Sequence, residues 1–417
     1  MKLSKKIGLS LLGLIGASTY AQELTADVQI RPRYEYTNGF GTLLTPTTSH
    51  TSFIGQRSRL NLNYGDAKLT TKLSLQSIRT WGDVPTTGVL STTNVKGGIA
   101  IFEGWAQYKF TDKFSVKAGR QVLSYDNQRI IGGLDWATQG RAFDAAVLTF
   151  KGAKSQLDLG VSLNEDSESK VDAATAFATD HKNMQYAWFH TNANKFGISF
   201  LALNVGKETA ALETKYMQTL GTYATFKDKK FDADFSFYYQ TGEVGATDVS
   251  AFEGAVNLGY AFSPKFKTTL GYEYLSGKDY DDASTKTKTF APLFGTNHAF
   301  NGFMDYFYVG FANKTGLQDI SLKLDFPIGK VKLSVAPHVF MTAADLSATD
   351  DSYLGTEVDL TAVYKLHKDV TLIGGYSQMF ASDSMVTLKG GTGLKDTTNN
   401  WAWLMVNINP QIFSTKK

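Results

Sequence analysis

The chain has no cysteine, which removes disulfides, thiolate metal sites and an N-terminal lipid-modified cysteine from consideration. Only eight prolines occur in 417 residues, and no Ser/Pro/Gly-rich linker divides them, so one continuous architecture is expected. Beyond the first residues there is no apolar run of about 18, the length a helical membrane span requires. The net charge of +3 is small and the lysines are scattered among carboxylates, which argues against a nucleic-acid partner.

Residues 1–21 combine a basic start (Lys2, Lys5, Lys6), an apolar core from Ile7 to Ile15 and a small-residue end at Thr19-Tyr20-Ala21. This reads as a cleaved secretory signal, leaving residues 22–417 as a single exported unit. Export without a helical span leaves two options: a soluble protein, or one that crosses the membrane as strands.

The punctuation of the chain favours strands. Tyr108-Lys-Phe110, Thr-Asp-Lys, Phe114-Ser-Val116 shows the pattern: an aromatic closes one alternating run, a short polar turn follows, and another alternating run opens. Phe226-Lys-Asp-Lys-Lys-Phe231 and Phe262-Ser-Pro-Lys-Phe266 repeat it, and partial versions bring the count of such turns to eight. Strand propensity explains many aromatics but not their place beside each turn. An outer-membrane barrel needs them there, as a belt at the lipid headgroups.

Eighteen alternating runs can be read, from 24–37, 55–64 and 69–79 at the start to 354–365, 370–380 and 400–409 at the end. With both termini in the periplasm, that number requires eight short periplasmic turns and nine longer extracellular loops. The predicted fold is therefore all-β, an antiparallel up-and-down transmembrane β-barrel in the outer membrane of a Gram-negative bacterium. Val256, Leu258, Tyr260 and Phe262 alternate with Asn257, Gly259 and Ala261. Eighteen strands enclose a space too wide for wall side chains to fill, so the apolar set should face lipid and leave an aqueous lumen. The longest connection, 277–316, either enters the channel as a constriction or stays outside as a solvated loop.

All eight arginines, Arg31, Arg33, Arg57, Arg59, Arg79, Arg120, Arg129 and Arg141, lie in the first third of the chain. Parity places Arg31, Arg33 and Glu35 on the inner face of the first strand and Arg57 and Arg59 beside them on the second. An arginine facing lipid near the midplane would cost about 2–4 kcal/mol. Clustered guanidinium groups repel unless carboxylates or passing anions offset them, and the planar fork matches a carboxylate. Two readings stay open: an anion pathway, and a stiffening lattice of ion pairs with Glu35, Glu103, Asp126, Asp135 and Asp144. Parity sends Arg79 and Arg120 outward unless a bulge or the membrane edge intervenes. Arg129 falls in loop 125–140, where it would line the mouth, fold inward or bind lipopolysaccharide phosphates.

The motifs Arg31-Pro-Arg33-Tyr-Glu35-Tyr, Gly55-Gln-Arg57-Ser-Arg59-Leu, Arg79-Thr-Trp81-Gly-Asp83, Gly119-Arg120-Gln, Tyr125-Asp-Asn-Gln-Arg129-Ile and Trp136-Ala-Thr-Gln-Gly140-Arg141-Ala-Phe-Asp144 together resemble the alginate-export family of outer-membrane porins, chiefly over residues 24–150. The resemblance implies a monomeric eighteen-stranded barrel whose arginine-rich constriction conducts anionic uronate polymer. It marks Arg31, Arg33, Arg57, Arg59, Arg120 and Arg141 as selectivity residues and Glu35, Glu103 and Asp144 as their acidic partners. The later strands offer only lysine, so a channel for small anions or acidic oligosaccharides is the more conservative expectation.

A non-selective porin and a surface adhesin or scaffold are the alternatives, and conduction separates them from the anion channel. An enzyme is not expected, since neither His190-Thr191-Asn192 nor His338-Val339-Phe340 has a serine two positions on, although a triad assembled across strands would escape such a search. No cofactor or metal is expected: Asp279-Tyr-Asp281-Asp282 matches no calcium loop and Gly390-Gly-Thr-Gly393 precedes no helix. The expected partners are outer-membrane lipid, lipopolysaccharide and the barrel-assembly machinery, for which Phe413 near the C-terminus resembles a terminal aromatic tag.

Overall fold

The computed structural model describes residues 22–84, 86, 98–168, 170, 175–308 and 315–415, so the expected signal at 1–21 lies outside the described residues. Nearly every regular element is a strand. In chain order they are β1 (Glu23–Asn38), β2 (Thr51–Gly65), β3 (Leu69–Thr80), β4 (Ile99–Thr111), β5 (Phe114–Gln121), β6 (Phe143–Lys151), β7 (Ser155–Leu163), β8 (Asn183–Ala193) and β9 (Phe196–Glu208). The second half adds β10 (Thr214–Asp228), β11 (Phe231–Val244), β12 (Thr247–Ser263), β13 (Phe266–Leu275), β14 (Leu317–Ile328), β15 (Val331–Met341), β16 (Tyr353–His367), β17 (Val370–Ala381) and β18 (Asn399–Ile408).

Each strand pairs antiparallel with the next, and β18 returns to β1 with Tyr34 opposite Leu404, closing an eighteen-stranded barrel with no free edge. Beyond Pro410, Gln411–Ser414 resumes pairing with β1, so Phe413 sits opposite Ala26 and continues the last strand. Proline interrupts the ladder because it has no N–H to give.

The expected parity holds on the wall. Ile30, Tyr34, Leu220, Phe235, Leu258, Tyr260 and Leu404 are exposed on the outer face. At the short-turn end the predicted aromatics form rows of touching rings: Phe110 lies 5.2 Å from Phe114, which lies 4.9 Å from Phe150, and Phe262 lies 5.6 Å from Phe266. Cross-strand aromatic pairs of this kind stabilise the turn end while presenting their faces to headgroups.

Two expectations change at the long-loop end. The link between β11 and β12 is only Gly245-Ala246, with Gly245 at φ +59°, so this outer connection is a tight hairpin. The upper lumen is also not simply aqueous. Inward positions there are apolar, including Phe143, Leu201, Leu203, Tyr238, Phe340 and Trp401, and they pack against Ile130, Ile131, Phe290, Phe294 and Met304 from inward-folded loops. The loops supply the filling that wall side chains cannot, and the wall matches them with apolar residues of its own.

Candidate functional site

Among the described residues, two long loops line the inside of the barrel against the wall positions of interest. The first, residues 122–142 between β5 and β6, lies against the arginine-bearing strands. Arg31 and Arg57 stand directly opposite each other on β1 and β2, a repulsive arrangement that needs compensation. The loop provides it. Arg31 donates to the carbonyls of Asp135 (2.7 Å), Trp136 (3.2 Å) and Ala137 (2.9 Å), and Arg33 donates to Trp136 O (2.8 Å). Arg57, 0% exposed, donates to Asp135 Oδ1 at 2.7 Å and to Gln29 Oε1 at 2.9 Å. Glu35 takes Arg33 Nε at 2.8 Å and Trp401 Nε1 at 3.2 Å.

Asp135 is enclosed by the barrel, yet 74% of its side-chain surface faces solvent in the lumen. Burial pushes its carboxyl up, but Arg57 and Arg31 outweigh that and hold it below the usual carboxylate range. Arg59 stands one inward position nearer the turn end and does not bond the loop backbone in the same way: it donates to Gln76 Oε1 at 2.8 Å and stacks over Phe102 at 3.7 Å. Phe102 faces inward because β4 bulges there against β3, turning Phe102 and Glu103 to the same side. Glu103 pairs with Lys72 and accepts Trp105 Nε1 at 3.0 Å.

The second loop, described over residues 276–308 and 315–316, also folds inward there, which settles the alternatives left open by its length. It seats on carboxylates of β13 to β16. Met304 N–H donates to Glu357 Oε1 (2.8 Å), Phe303 N–H to Asp359 Oδ2 (3.2 Å) and Asn301 Nδ2 to Glu273 Oε2 (2.6 Å). Gly302 makes this approach possible, with φ +81° and no side chain where a Cβ would stand 2.7 Å from the Glu357 carboxyl.

Arg129 and Arg141 stitch the loops together. Arg129 is 1% exposed, pairs with Glu273 at 2.8 Å and donates to Asn301 Oδ1 at 3.0 Å. It therefore folds inward, where a lipopolysaccharide phosphate cannot reach it. Arg141 donates to the carbonyls of Phe294 and Gly295, while Gly132 N–H donates to Phe294 O (2.8 Å) and Phe294 N–H to Ile130 O (3.0 Å). Trp136, which opens one of the motifs quoted above but received no role of its own there, is the hub: it stacks on His298 at 4.6 Å, meets Trp403 at 4.6 Å and lies 4.2 Å beneath the Arg33 guanidinium.

Arg120 and Asp144 correct the motif-based expectation. They form a 2.6 Å ion pair, both well exposed, on the outward face of β5 and β6 near the strand ends. Parity carries them outside, so they do not line the lumen. Arg79 likewise escapes at the end of β3, paired with Asp83 at 3.2 Å. Sequence reading also passed over four lysines. Lys267, Lys323, Lys332 and Lys365 share strand faces with the inward Glu273, Asp319, His338 and Asp359, set four or six residues toward the turn end. Lys332 and Lys365 border one cleft with Lys330 and Lys368.

A Ser/His/Asp grouping does assemble across β7 and the following loop. Ser162 Oγ is 3.1 Å from His181 Nε2, and His181 Nδ1 is 3.4 Å from Asp180. Asn164 Nδ2 shares Nε2 at 3.1 Å, and His181 is 2% exposed beneath Phe143 and Phe294. With Nε2 shared between Ser162 and Asn164 and the ring buried, this grouping has the geometry of a packed polar cluster.

Comparison with known proteins agrees with the architecture. Pseudomonas aeruginosa OpdL is similar at TM-score 0.65 and 13% identity, covering 94% of this chain and 99% of that one. Acinetobacter baumannii OccAB4 gives 0.64 and 12%, covering 94% and 98%, and a BenF-like porin from Pseudomonas fluorescens Pf-5 gives 0.63 and 13%, covering 93% and 99%. At such identities these likenesses establish the fold. No curated protein matches the sequence. The family model described as "Alginate export" matches residues 22–393, nearly the whole barrel, and the chain belongs to that family of outer-membrane porin barrels.

Proposed function

We propose that this barrel conducts anions, uronate oligosaccharides among them, and that the arginine cluster of β1 and β2 sets the selectivity. The observation that carries the reading is a local excess of charge: Arg31, Arg33, Arg57 and Arg59 face inward around the first loop, against the carboxylates of Glu35 and Asp135. The ion-pair lattice considered from sequence is present only in part, through Glu35 and Asp135, and it leaves surplus positive charge beside the lumen-facing Asp135. The inward lysines at the turn end add a basic approach from the periplasm, and membership of the alginate-export family supports an acidic saccharide as solute.

Arg59 gives the cleanest test, because Arg31, Arg33 and Arg57 also anchor the loop backbone or Asp135. Wild-type protein in planar bilayers under a salt gradient should show an anion-signed reversal potential. Arg59→Ala removes one charge, worth about 1 kcal/mol at 4 Å in water, and should lower the anion-to-cation permeability ratio about fivefold. A cation-signed wild-type potential would end the proposal, a near-zero one would favour a general porin, and absence of conductance would favour the adhesin.

A further inference from the structure

The inner wall from β4 to β8 carries a cleft of about 300 Å³ just on the turn side of the first loop. Its lining includes Gln107, Lys117, Tyr125, Asp126, Asp158 and Trp188. The carboxylates are already oriented. Asp126 accepts Trp188 Nε1 at 3.1 Å, and Asp158 accepts Tyr125 Oη at 3.1 Å and Gln156 Nε2 at 3.0 Å. Trp188 is braced by a parallel stack on His190, with planes 5° apart. Lys117 differs from the paired Lys72 and Lys267. Its ammonium lies 4.0 Å over the Trp105 ring, and among the described residues no carboxylate comes within ion-pair distance of it.

We infer that this cleft is a subsite for a single uronate residue of an acidic oligosaccharide, a reading that rests on the anion-channel proposal. Each wall has a matching part of the ligand. Trp188 and Tyr125 meet at 4.9 Å, and the half-exposed part of that ring pair is what a pyranose C–H face would contact. Gln107 and the two carboxylates accept and orient hydroxyl groups. Lys117 is the free cation for the sugar carboxylate. Asp126 and Asp158 oppose a dianionic phosphate about twice as strongly as a single carboxylate, whose one charge Lys117 can answer, so one carboxylate per ring with hydroxyls around it is the better-matched anion. The size is at the low end of ligand clefts, suited to one ring. Standing beside the constriction on the periplasmic side, the subsite would hold one residue of the chain as the next approaches the arginines.

The test adds a mannuronate oligomer to the periplasmic side of the reconstituted channel and records current-block residence times, with a neutral malto-oligomer of equal length as control. Lys117→Met should shorten the mannuronate blocks about tenfold, the loss of one charge-assisted hydrogen bond, and Lys117→Arg should recover most of the effect. Trp188→Phe should shorten blocks by both oligomers. Titration of detergent-solubilised protein with the mannuronate oligomer should change tryptophan fluorescence, and the change should vanish in Trp188→Phe. Mannuronate blocks of wild-type length in Lys117→Met, within an anion-selective channel, would overturn the subsite and leave the channel reading standing. A non-conducting or cation-selective wild type would overturn the channel reading, and the fluorescence titration would then decide the subsite by itself.

Discussion

The two inward loops are held by opposite chemistry. On β1 and β2, guanidinium donors grip loop carbonyls at Asp135, Trp136 and Ala137; on β16, carboxylates receive loop N–H groups from Phe303 and Met304. The acidic seat is the more sealed, with Glu357 0% and Asp359 1% exposed, and part of its charge is met by side chains, Arg129 on Glu273 and His338 beside Asp319 and Asp359. The arginine seat spends only part of its charge, because backbone carbonyls satisfy donors without neutralising them. One wall therefore fixes a plug, while the other fixes a loop and keeps a field for the lumen.

Cutting the link between the two seats should have the largest effect. Arg129→Ala would leave Glu273 buried without its cation, and removing one partner of a buried pair costs about 3–5 kcal/mol. Thermal unfolding in detergent should register the loss, and channel recordings should become noisy as the loops part. An unfolding midpoint equal to wild type would mean that the seats stand independently. Breaking the acidic seat alone should cost less. Gly302→Val forces a β-branched side chain into positive φ and against Glu357, a strain of about 1–3 kcal/mol, and should expose residues 297–308 to protease while leaving ion selectivity near its starting value. On the arginine side, Arg57→Ala removes a buried charged hydrogen bond worth about 1.5–3 kcal/mol and leaves Asp135 with only its longer contact to Arg31 at 3.6 Å. It should raise conductance and lower anion preference together, whereas Arg59→Ala should lower preference alone. Identical phenotypes for these two variants would show that loop anchoring and selectivity are not separable along the cluster.

The wall was legible from sequence because its signals are local. Period-two alternation and aromatics at turns follow from lipid outside and headgroups at the rim, and they located the eight short turns between the observed strands. Arg120 is instructive: counted from Val116 and Ala118 it belongs outside, the motif resemblance placed it inside, and the structure follows the count. What stayed hidden was non-local. The meeting of Ile131 with Phe294 joins residues far apart in sequence, and no periodicity announces it. A trace was available in β9, where Phe200 faces out but Leu201, Leu203 and Val205 are buried inward. A strand apolar on both faces needs cover on both, so something besides water had to occupy the upper lumen. The inward lysines were missed for a simpler reason: those in the turns drew attention from those on strand faces.

Lys389 gives the smallest effect and tests whether cationic donors hold loops by charge or by hydrogen bonding. It follows a short helix, α1 (Asp383–Leu388), and its ammonium donates to the carbonyls of Gly41 and Tyr306, tying the loops after β1, β13 and β17 together. Burial pushes its pKa down from 10.5 to about 8. Between those values the unfolded chain binds the proton and the folded one does not, so this residue's contribution to stability rises with pH across that window; below about 8 the cost of a buried ammonium is present in full. The neutral amine keeps hydrogens enough for both carbonyls. Protection of residues 383–391 from hydrogen exchange should therefore increase between about pH 7 and pH 9.5, and in Lys389→Met that increase should disappear. Protection that instead falls as the pH rises would mean that attraction between the ammonium, the carbonyls and the rings of Tyr306 and Phe307 outweighs desolvation. This seat would then work by charge, as the arginines of β1 and β2 are proposed to do toward the lumen.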